Sequence, residues 1–475
     1  MIKTTRVVIA LIASYLLAGT SFAESPVSIK LNAKAPEATV PDDFGGLSYE
    51  MALVPPDANG KYFFSPENTP LVKMFQTLGV RILRVGGNTA DRPTVKFPGN
   101  ADLDKLFAFA EAAKVKVIFT LRMRQGDPKD AAAIAKYIMD HYQADLVCFA
   151  IGNEPNVFAK TYPAYQAELE KYIAAITASG VAPEAKFCGP STTPNKAVWA
   201  RDFANDFAHT GRIALITQHD YPGGSGRKVT NSAAGRDNML STAWPEAYQK
   251  FYASFVPATV ANGIPYRLEE ANNYYNGGAK DVSDTFAAAL WGLDYLHWWA
   301  AHGANGINFH SGDTVAAGEE NAPCRYAVFW TSPSGYSAHP LGYALKAFEL
   351  GGYGQLVPAQ IAANADDVNL TAYGLLAKDK SLLVTLINKD HSTGAHDAKV
   401  TLTPGDAYAK GTVMYLTGPQ GDVAATSGIT LGGAPIKDNA SWKGKWTKLA
   451  KPSASGEFTV KLPAATAAVI KLTRK

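Results

Sequence analysis

Leu146-Val147-Cys148-Phe149-Ala150-Ile151-Gly152-Asn153-Glu154-Pro155 is the stretch on which the reading of this 475-residue chain turns. An apolar run of strand length ends at a glycine, a polar pair and a proline. Such a run reads as a strand buried on both faces, and the strands buried that way belong to parallel sheets. It would deliver Asn153 and Glu154 to the carboxyl edge of the sheet, where α/β barrels carry their working groups.

Outward from that stretch the same unit repeats. Strands are expected at Gly46 to Tyr49, Arg81 to Val85, Lys116 to Leu121, Leu146 to Ile151, Lys186 to Cys188, Ile213 to Gln218, Tyr266 to Glu270 and Gly306 to His310, eight in all. Between them, segments such as Leu103 to Ala113, Ala131 to Tyr142, Tyr165 to Ala178 and Thr285 to Ala301 repeat apolar residues at helical spacing. Eight alternating strand-helix units imply an α/β fold closed as a (β/α)8, or TIM, barrel. An open doubly wound sheet is the alternative, but no glycine-rich phosphate loop follows the first strand.

Past Leu350 the pattern changes to short β-type runs set off by Gly, Pro and Asp: Val368 to Leu376, Ser381 to Asn388, Ala398 to Leu402, Gly411 to Leu416, Glu457 to Leu462 and Ala467 to Leu472. That spacing indicates a C-terminal antiparallel β-sandwich domain. Val27 to Leu31 alternates like a strand but has no helix of its own, so it is expected to join the sandwich. The division is therefore 1–23 leader, 24–42 N-terminal strand, 43–352 barrel and 353–475 sandwich. Without a low-complexity linker, the two domains should meet at a rigid interface.

Met1 to Ala23 carries Lys3 and Arg6, an apolar stretch Val7 to Ala18, and Ser21-Phe22-Ala23 at its end. This is the pattern of a cleaved secretory signal, too short in its apolar core for the ~20 residues that span a bilayer. The expected destination is export, to the periplasm or the medium. Without Lys3 and Arg6, Lys and Arg fall from 45 to 43 against 42 acids, a net charge near +1. So balanced a chain has no electrostatic footprint for nucleic acid or membrane surfaces. Cys148, Cys188 and Cys324 are too few for a disulfide framework. Cys148 and Cys188 read as small buried hydrophobes, with a bridge between them as the alternative.

The seventh strand ends in Glu269-Glu270 and runs into Ala271-Asn272-Asn273-Tyr274-Tyr275-Asn276-Gly277-Gly278. Glutamates at the ends of strands four and seven lie across the barrel mouth and can approach the ~5 Å separation of a retaining glycosidase. Adjacent strand residues point opposite ways, so one of the two should face the mouth. Glu270 shares parity with Tyr266 and Leu268 and is assigned that place. Glu269 shares parity with Arg267 and would pair with it toward the helices. Two carboxylates a few ångströms apart resist double ionisation, which separates their roles into an ionised nucleophile and a proton donor.

These stretches also carry a resemblance. Asn-Glu-Pro at a strand end is found in a large clan of sugar-cleaving barrels. Together with Glu270-Ala271-Asn272-Asn273-Tyr274-Tyr275-Asn276-Gly277-Gly278, the run Arg84-Val85-Gly86-Gly87-Asn88-Thr89-Ala90-Asp91 and the run Gln218-His219-Asp220-Tyr221, it resembles glycoside hydrolase family 79, of bacterial β-glucuronidases and heparanases. The similarity runs over nearly the whole mature chain.

The resemblance implies Glu154 as acid/base and Glu270 as nucleophile, Asn153 holding the sugar 2-hydroxyl and Asp91 gripping hydroxyls deep in the pocket. Tyr221 and Tyr275 would flank the nucleophile, and Asn276, Gly277 and Tyr326 would hold a uronate carboxylate. No metal or organic cofactor is required. The expected protein is a monomeric, secreted, retaining exo-β-glucuronidase acting on terminal glucuronic acid of glycosides or polysaccharide ends. An endo-acting heparanase-like enzyme and a non-catalytic carbohydrate-binding protein on the same scaffold are the alternatives. A sulfated polymer would want Lys and Arg flanking the cleft, and neither strand-end loop supplies a cluster.

Smaller features have two readings each. His219, His310 and Asp313 at neighbouring strand ends lack zinc or facial-triad spacing, so hydrogen bonding is the expected use. Trp442-Lys443-Gly444-Lys445-Trp446 reads either as a sugar-contact strip or as a loop packed on the domain interface, and Trp298-Trp299 as helix packing.

Overall fold

The computed structural model describes residues 23–315, 322–364 and 368–474. The leader expected over Met1 to Ala23 lies outside the described residues, except for Ala23 itself. The first strand, β1, spans Ala23–Leu31. Then come β2 (Gly45–Glu50), β3 (Ile82–Gly86), β4 (Lys116–Leu121), β5 (Leu146–Ile151), β6 (Phe187–Pro190), β7 (Ile213–Asp220), β8 (Tyr266–Ala271) and β9 (Gly306–His310). Strands β2 to β9 pair in sequence order, all parallel, and β9 closes back onto β2. The helices Thr69–Leu78, Asn100–Ala113, Pro128–Tyr142, Tyr162–Ile176, Val198–Phe207, Pro245–Ala261, Phe286–Ala301 and Pro340–Gly351 follow the eight strands in turn. The barrel read from alternation is therefore present, with strand bounds differing by one or two residues.

Side-chain alternation sorts the barrel into two cores. Leu83, Val85, Phe119, Leu121, Phe149 and Ile151 face the helices and belong to the large outer core. Ile82, Ile118, Cys148, Ala150, Cys188 and Leu215, of opposite parity, form a small cluster inside the barrel. All three cysteines are free and buried. Above the inner cluster the same parity delivers polar groups, among them Ser48, Arg84, Thr120, Thr217 and His219, each fully buried.

The tail adds a hairpin, β10 (Phe329–Ser332) and β11 (Gly335–Ala338), then β12 (Gln355–Val357), β13 (Ala359–Asn364), β14 (Leu370–Leu376), β15 (Leu382–Asn388), β16 (His396–Thr403), β17 (Lys410–Thr417), β18 (Thr430–Leu431), β19 (Thr447–Lys448), β20 (Phe458–Leu462) and β21 (Thr466–Thr473). They make a four-stranded sheet in the order β13-β1-β16-β20, and a second sheet in the order β12-β14-β15-β21-β17-β18 with β19 on β17. Strand β1 runs antiparallel to β13 and parallel to β16.

The second sheet is buried on both faces. Leu382, Val384 and Leu386 point into the core between the sheets, while Leu383 and Ile387 point into the helix layer of the barrel. At that seam Asp294 is buried, accepting from Lys389 Nζ at 2.8 Å, Thr371 Oγ1 at 2.7 Å and Tyr373 OH at 2.7 Å. Trp442 and Trp446 both pack against the large core, and Trp442 Nε1 donates to the Leu431 carbonyl at 3.0 Å. Trp298 and Trp299 pack on Tyr252 and on each other. Among the described residues, no helix is long and apolar enough to cross a membrane.

Candidate active site

Strand β5 ends where the apolar run ends, and the chain then turns sharply. Gly152 has φ 81° and Glu154 φ 48°, both in the left-handed region. A side chain at 152 would also crowd Met123 Cβ at 3.1 Å and Asp91 Oδ2 at 3.3 Å. Glu154, a non-glycine residue held in αL, is strained, and such strain persists only where neighbours enforce it. Its N–H donates to the Ser191 carbonyl at 3.0 Å, tying it to the loop after β6.

Asp91 contributes to holding this turn. Its carboxylate accepts from the backbone N–H groups of Asn153 at 2.6 Å, Met123 at 2.7 Å and Arg124 at 2.8 Å. Burial raises its pKa above the ordinary carboxylate value, despite the three amide donors. Where Asp91 was expected to grip sugar hydroxyls, its oxygens here accept three backbone amides, and it is not among the residues lining the cavity. The member of the same run that reaches the cavity is Asn88. Asn153 sits behind it, its Oδ1 accepting from Arg84 Nη2 at 2.7 Å and its Nδ2 standing 3.5 Å from Asn88 Oδ1.

At the end of β8 the expected parity fails. Tyr266 and Leu268 face the helices, Tyr266 packing on Phe255 and Trp299. Arg267 points into the barrel, where Nε donates to Asn308 Oδ1 at 2.6 Å and Nη2 to the Phe44 carbonyl at 3.0 Å. Glu269 follows it inward rather than pairing with it toward the helices. It is fully buried, 3.8 Å from Arg84 Nη2, 3.7 Å from His219 Nε2 and 3.8 Å from Cys188 Sγ. Glu270 departs from this alternation through a bulge: the β7 register passes from Gln218↔Leu268 to His219↔Glu270 and skips Glu269. One extra residue turns Glu270 into the mouth as well.

Glu270 is clamped. Oε2 accepts from Arg84 Nη1 at 2.7 Å and Oε1 from Tyr221 OH at 2.9 Å. Burial would raise its pKa, but the charges of His219, His310 and Arg84 and the Tyr221 hydrogen bond together hold it well below the usual carboxylate range. The strongest opposing effect on His219 is burial. Even so, the Glu270 charge and hydrogen bonds to Glu154 and Glu269 push its imidazole up to about 9. His219 Nδ1 lies 3.0 Å from Glu154 Oε1, a hydrogen bond between the ring and the carboxyl group.

Glu154 and Glu270 face one cavity of about 550 Å³, and carboxylate oxygens of the two lie within 4.8 Å of each other. Tyr221, Tyr275, Asn276, Gly277 and Tyr326 line the same cavity. The rings of Tyr275 and Tyr326 stand 6.1 and 6.2 Å from that of Tyr221. Asn276 Nδ2 donates to Ser225 Oγ at 3.0 Å. At Gly277, with φ 80°, a Cβ would fall 2.2 Å from Val315 Cγ2, so only glycine fits.

Two further groups escaped the sequence reading. Glu50, at the end of β2, accepts from the Thr89 N–H at 2.8 Å and lies 3.6 Å from His310 Nε2. Arg84 was quoted only as part of a run, yet it is the fully buried cation that joins Glu270, Asn153 and Ser48 Oγ, the last at 3.2 Å. A charged residue amid the apolar run of β3 was the signal for it, since a buried arginine needs partners.

Glu154, His219 and Glu270 each bring one ligand atom into a single space, a set a metal ion could use. A cation there would sit against the Arg84 guanidinium, already 2.7 Å from Glu270. The donors are matched to one another by hydrogen bonds, which suits a carboxylate pair better than a metal centre.

Comparison with known proteins extends this geometry. The glycosyl hydrolase family 79 C-terminal beta domain matches residues 372–469, covering most of the second sheet. By this match residues 372–469 are similar to the C-terminal domain of glycoside hydrolase family 79. A β-glucuronidase of Aspergillus niger is 26% identical over 178 residues, 37% of this chain and 30% of that protein. One of Neurospora crassa is 32% identical over 101 residues, 21% of this chain and 18% of that protein. The matched segments thus span less than a third of either relative.

Among solved structures, a family 51 arabinofuranosidase from Xanthomonas axonopodis pv. citri superposes with TM-score 0.70 at 14% identity, covering 95% of this chain and all of the other. A 4-O-α-L-rhamnosyl-β-D-glucuronidase from Fusarium oxysporum 12S gives TM-score 0.69 at 18% identity, over 95% of this chain and 99% of the other. At such identities the likeness is one of fold.

Proposed function

We propose that the protein is a retaining exo-β-glucuronidase, with Glu270 as nucleophile and Glu154 as acid/base. The observation that carries this reading is the pair of carboxylates within 4.8 Å across one cavity, close to the ~5–5.5 Å of retaining enzymes and too close to admit the water of inversion. Their environments differ as double displacement requires. Glu270 is held ionised by Arg84, Tyr221 and two histidines, ready to attack the anomeric carbon. Glu154 meets one hydrogen-bond partner, His219, and gives its proton to the departing oxygen. Ester formation removes the Glu270 charge, after which Glu154 takes a proton from water attacking the glycosyl ester.

The glucuronate preference rests on the likeness of residues 372–469 to the family 79 C-terminal domain and on what the two fungal relatives are called. The uronate carboxylate would meet neutral donors, Tyr326, Asn276 and the backbone at Gly277, since no lysine or arginine lines the cavity among the described residues. Export as a soluble monomer completes the reading.

The test sets an aryl β-glucuronide beside the matching glucoside and a heparan chain, following the anomer first released by NMR. Release of β-glucuronic acid from the glucuronide alone is expected. No release would discard the substrate, an α-anomer would discard retention, and depolymerised heparan would favour an endo-acting enzyme. Glu270→Gln should abolish turnover on every substrate. Glu154→Ala should spare the first step for good leaving groups and regain rate with azide.

A further inference from the structure

The cavity has two chemically different walls. Tyr221, Tyr275, Asn276, Gly277 and Tyr326 follow strands β7 to β9, which bring in the nucleophile, while Asn156, Val157, Thr193, Pro194 and Asn195 follow β5 and β6, on the side of Glu154. No step described above uses the second group. Yet the leaving group departs with the proton of Glu154, so whatever it carries must lie against the wall that follows Glu154 in the chain.

That wall is rigidly built. Asn156 Nδ2 donates to Thr193 Oγ1 at 2.7 Å, and the Thr193 N–H donates back to Asn156 Oδ1 at 3.0 Å. Thr193 Oγ1 in turn bonds Asn195 Oδ1 at 2.6 Å. The polar groups are largely engaged with one another, and the apolar ones are left facing out. Val157 is 65% exposed and Tyr275, also on the cavity lining, 41%. They are two of the four exposed large hydrophobic residues among those described, and both belong to this one opening.

We infer that Val157 and Pro194 form a leaving-group subsite for an uncharged aglycone with apolar surface, alkyl or aryl, with the exposed Tyr275 also on the cavity lining. This deepens the glucuronidase reading and rests on it. Apolar area on the aglycone gains by leaving water at this rim.

Alkyl β-glucuronides from methyl to octyl test the subsite, because their leaving alcohols are of similar acidity and differ mainly in apolar area. The wild-type kcat/KM should rise roughly two- to fourfold for each methylene that reaches the rim. Val157→Thr, which keeps the shape and adds a hydroxyl, should cut the octyl-to-methyl ratio by roughly fivefold. A ratio taken within one protein cancels any loss common to both substrates. A flat series in the wild type, or an unchanged ratio in the variant, overturns the subsite and leaves the glucuronidase reading standing. Failure to cleave any alkyl or aryl glucuronide removes both.

Discussion

Arg84 and Glu269 set the charge balance beneath the nucleophile. The Arg84 fork reaches Glu270 Oε2 and Asn153 Oδ1, each at 2.7 Å, and an ammonium is a single point that cannot bridge both. Arg84→Lys should therefore lower kcat by roughly 10²–10³-fold, the scale of losing a preorganised electrostatic contact, while the fold, followed by circular dichroism, persists. Glu269 lies under His219 as Glu154 lies above it. Glu269→Gln removes a charge that favours the imidazolium, so the alkaline limb of kcat/KM should move to lower pH. A profile that only scales down, with both limbs in place, would make Glu269 a packing residue. The stability linkage has the same sign. His219 is pushed up to about 9 in the folded chain, so its contribution is complete below its ordinary value near 6.5 and is lost as pH rises through about 9.

At the scale of elements, the eight barrel strands were legible because parallel strands buried on both faces are continuous apolar runs. Strand β13 was not: Ala359-Gln360-Ile361-Ala362-Ala363-Asn364 has little side-chain hydrophobicity, and its pairing to β1 provides the evidence for it. The turn of Glu270 into the mouth beside an inward Glu269 was hidden because a bulge breaks the two-residue period that parity arguments assume. The role of Asp91 was hidden because its partners are backbone amides from two other loops, which have no sequence signature. Strand β1 was legible through its alternation, and that alternation makes a prediction. Ile29 is fully buried between the sheets, so Ile29→Ala should cost about 2–5 kcal/mol in urea unfolding. The exposed neighbour Lys30→Ala should change stability by no more than about 0.5 kcal/mol.

For the molecule as a whole, the seam between barrel and sandwich is the decisive contact. Lys389→Met would strand the Asp294 carboxylate in a buried site, where loss of one ionic partner costs about 3–5 kcal/mol. Because Asp294 lies on a barrel helix and Lys389 follows a sandwich strand, the denaturation midpoint should fall in a single transition shared by both domains. Acid should weaken the molecule too. Burial pushes His297 down to about 3 and His339 to about 4. Unfolding then takes up protons below about pH 6.5, and the thermal midpoint should drop as pH falls from there toward 4. The placement of β1 has a consequence for biosynthesis. Its partners are Asn364 on one side and Val400 on the other of Val27, so a nascent chain leaves the ribosome with this strand unmated while the entire barrel is still being translated. Pairings so distant along the polymer are slow to find. The gap in the four-stranded sheet should be the last part of the protein to close, and the waiting strand the natural foothold for a holding chaperone.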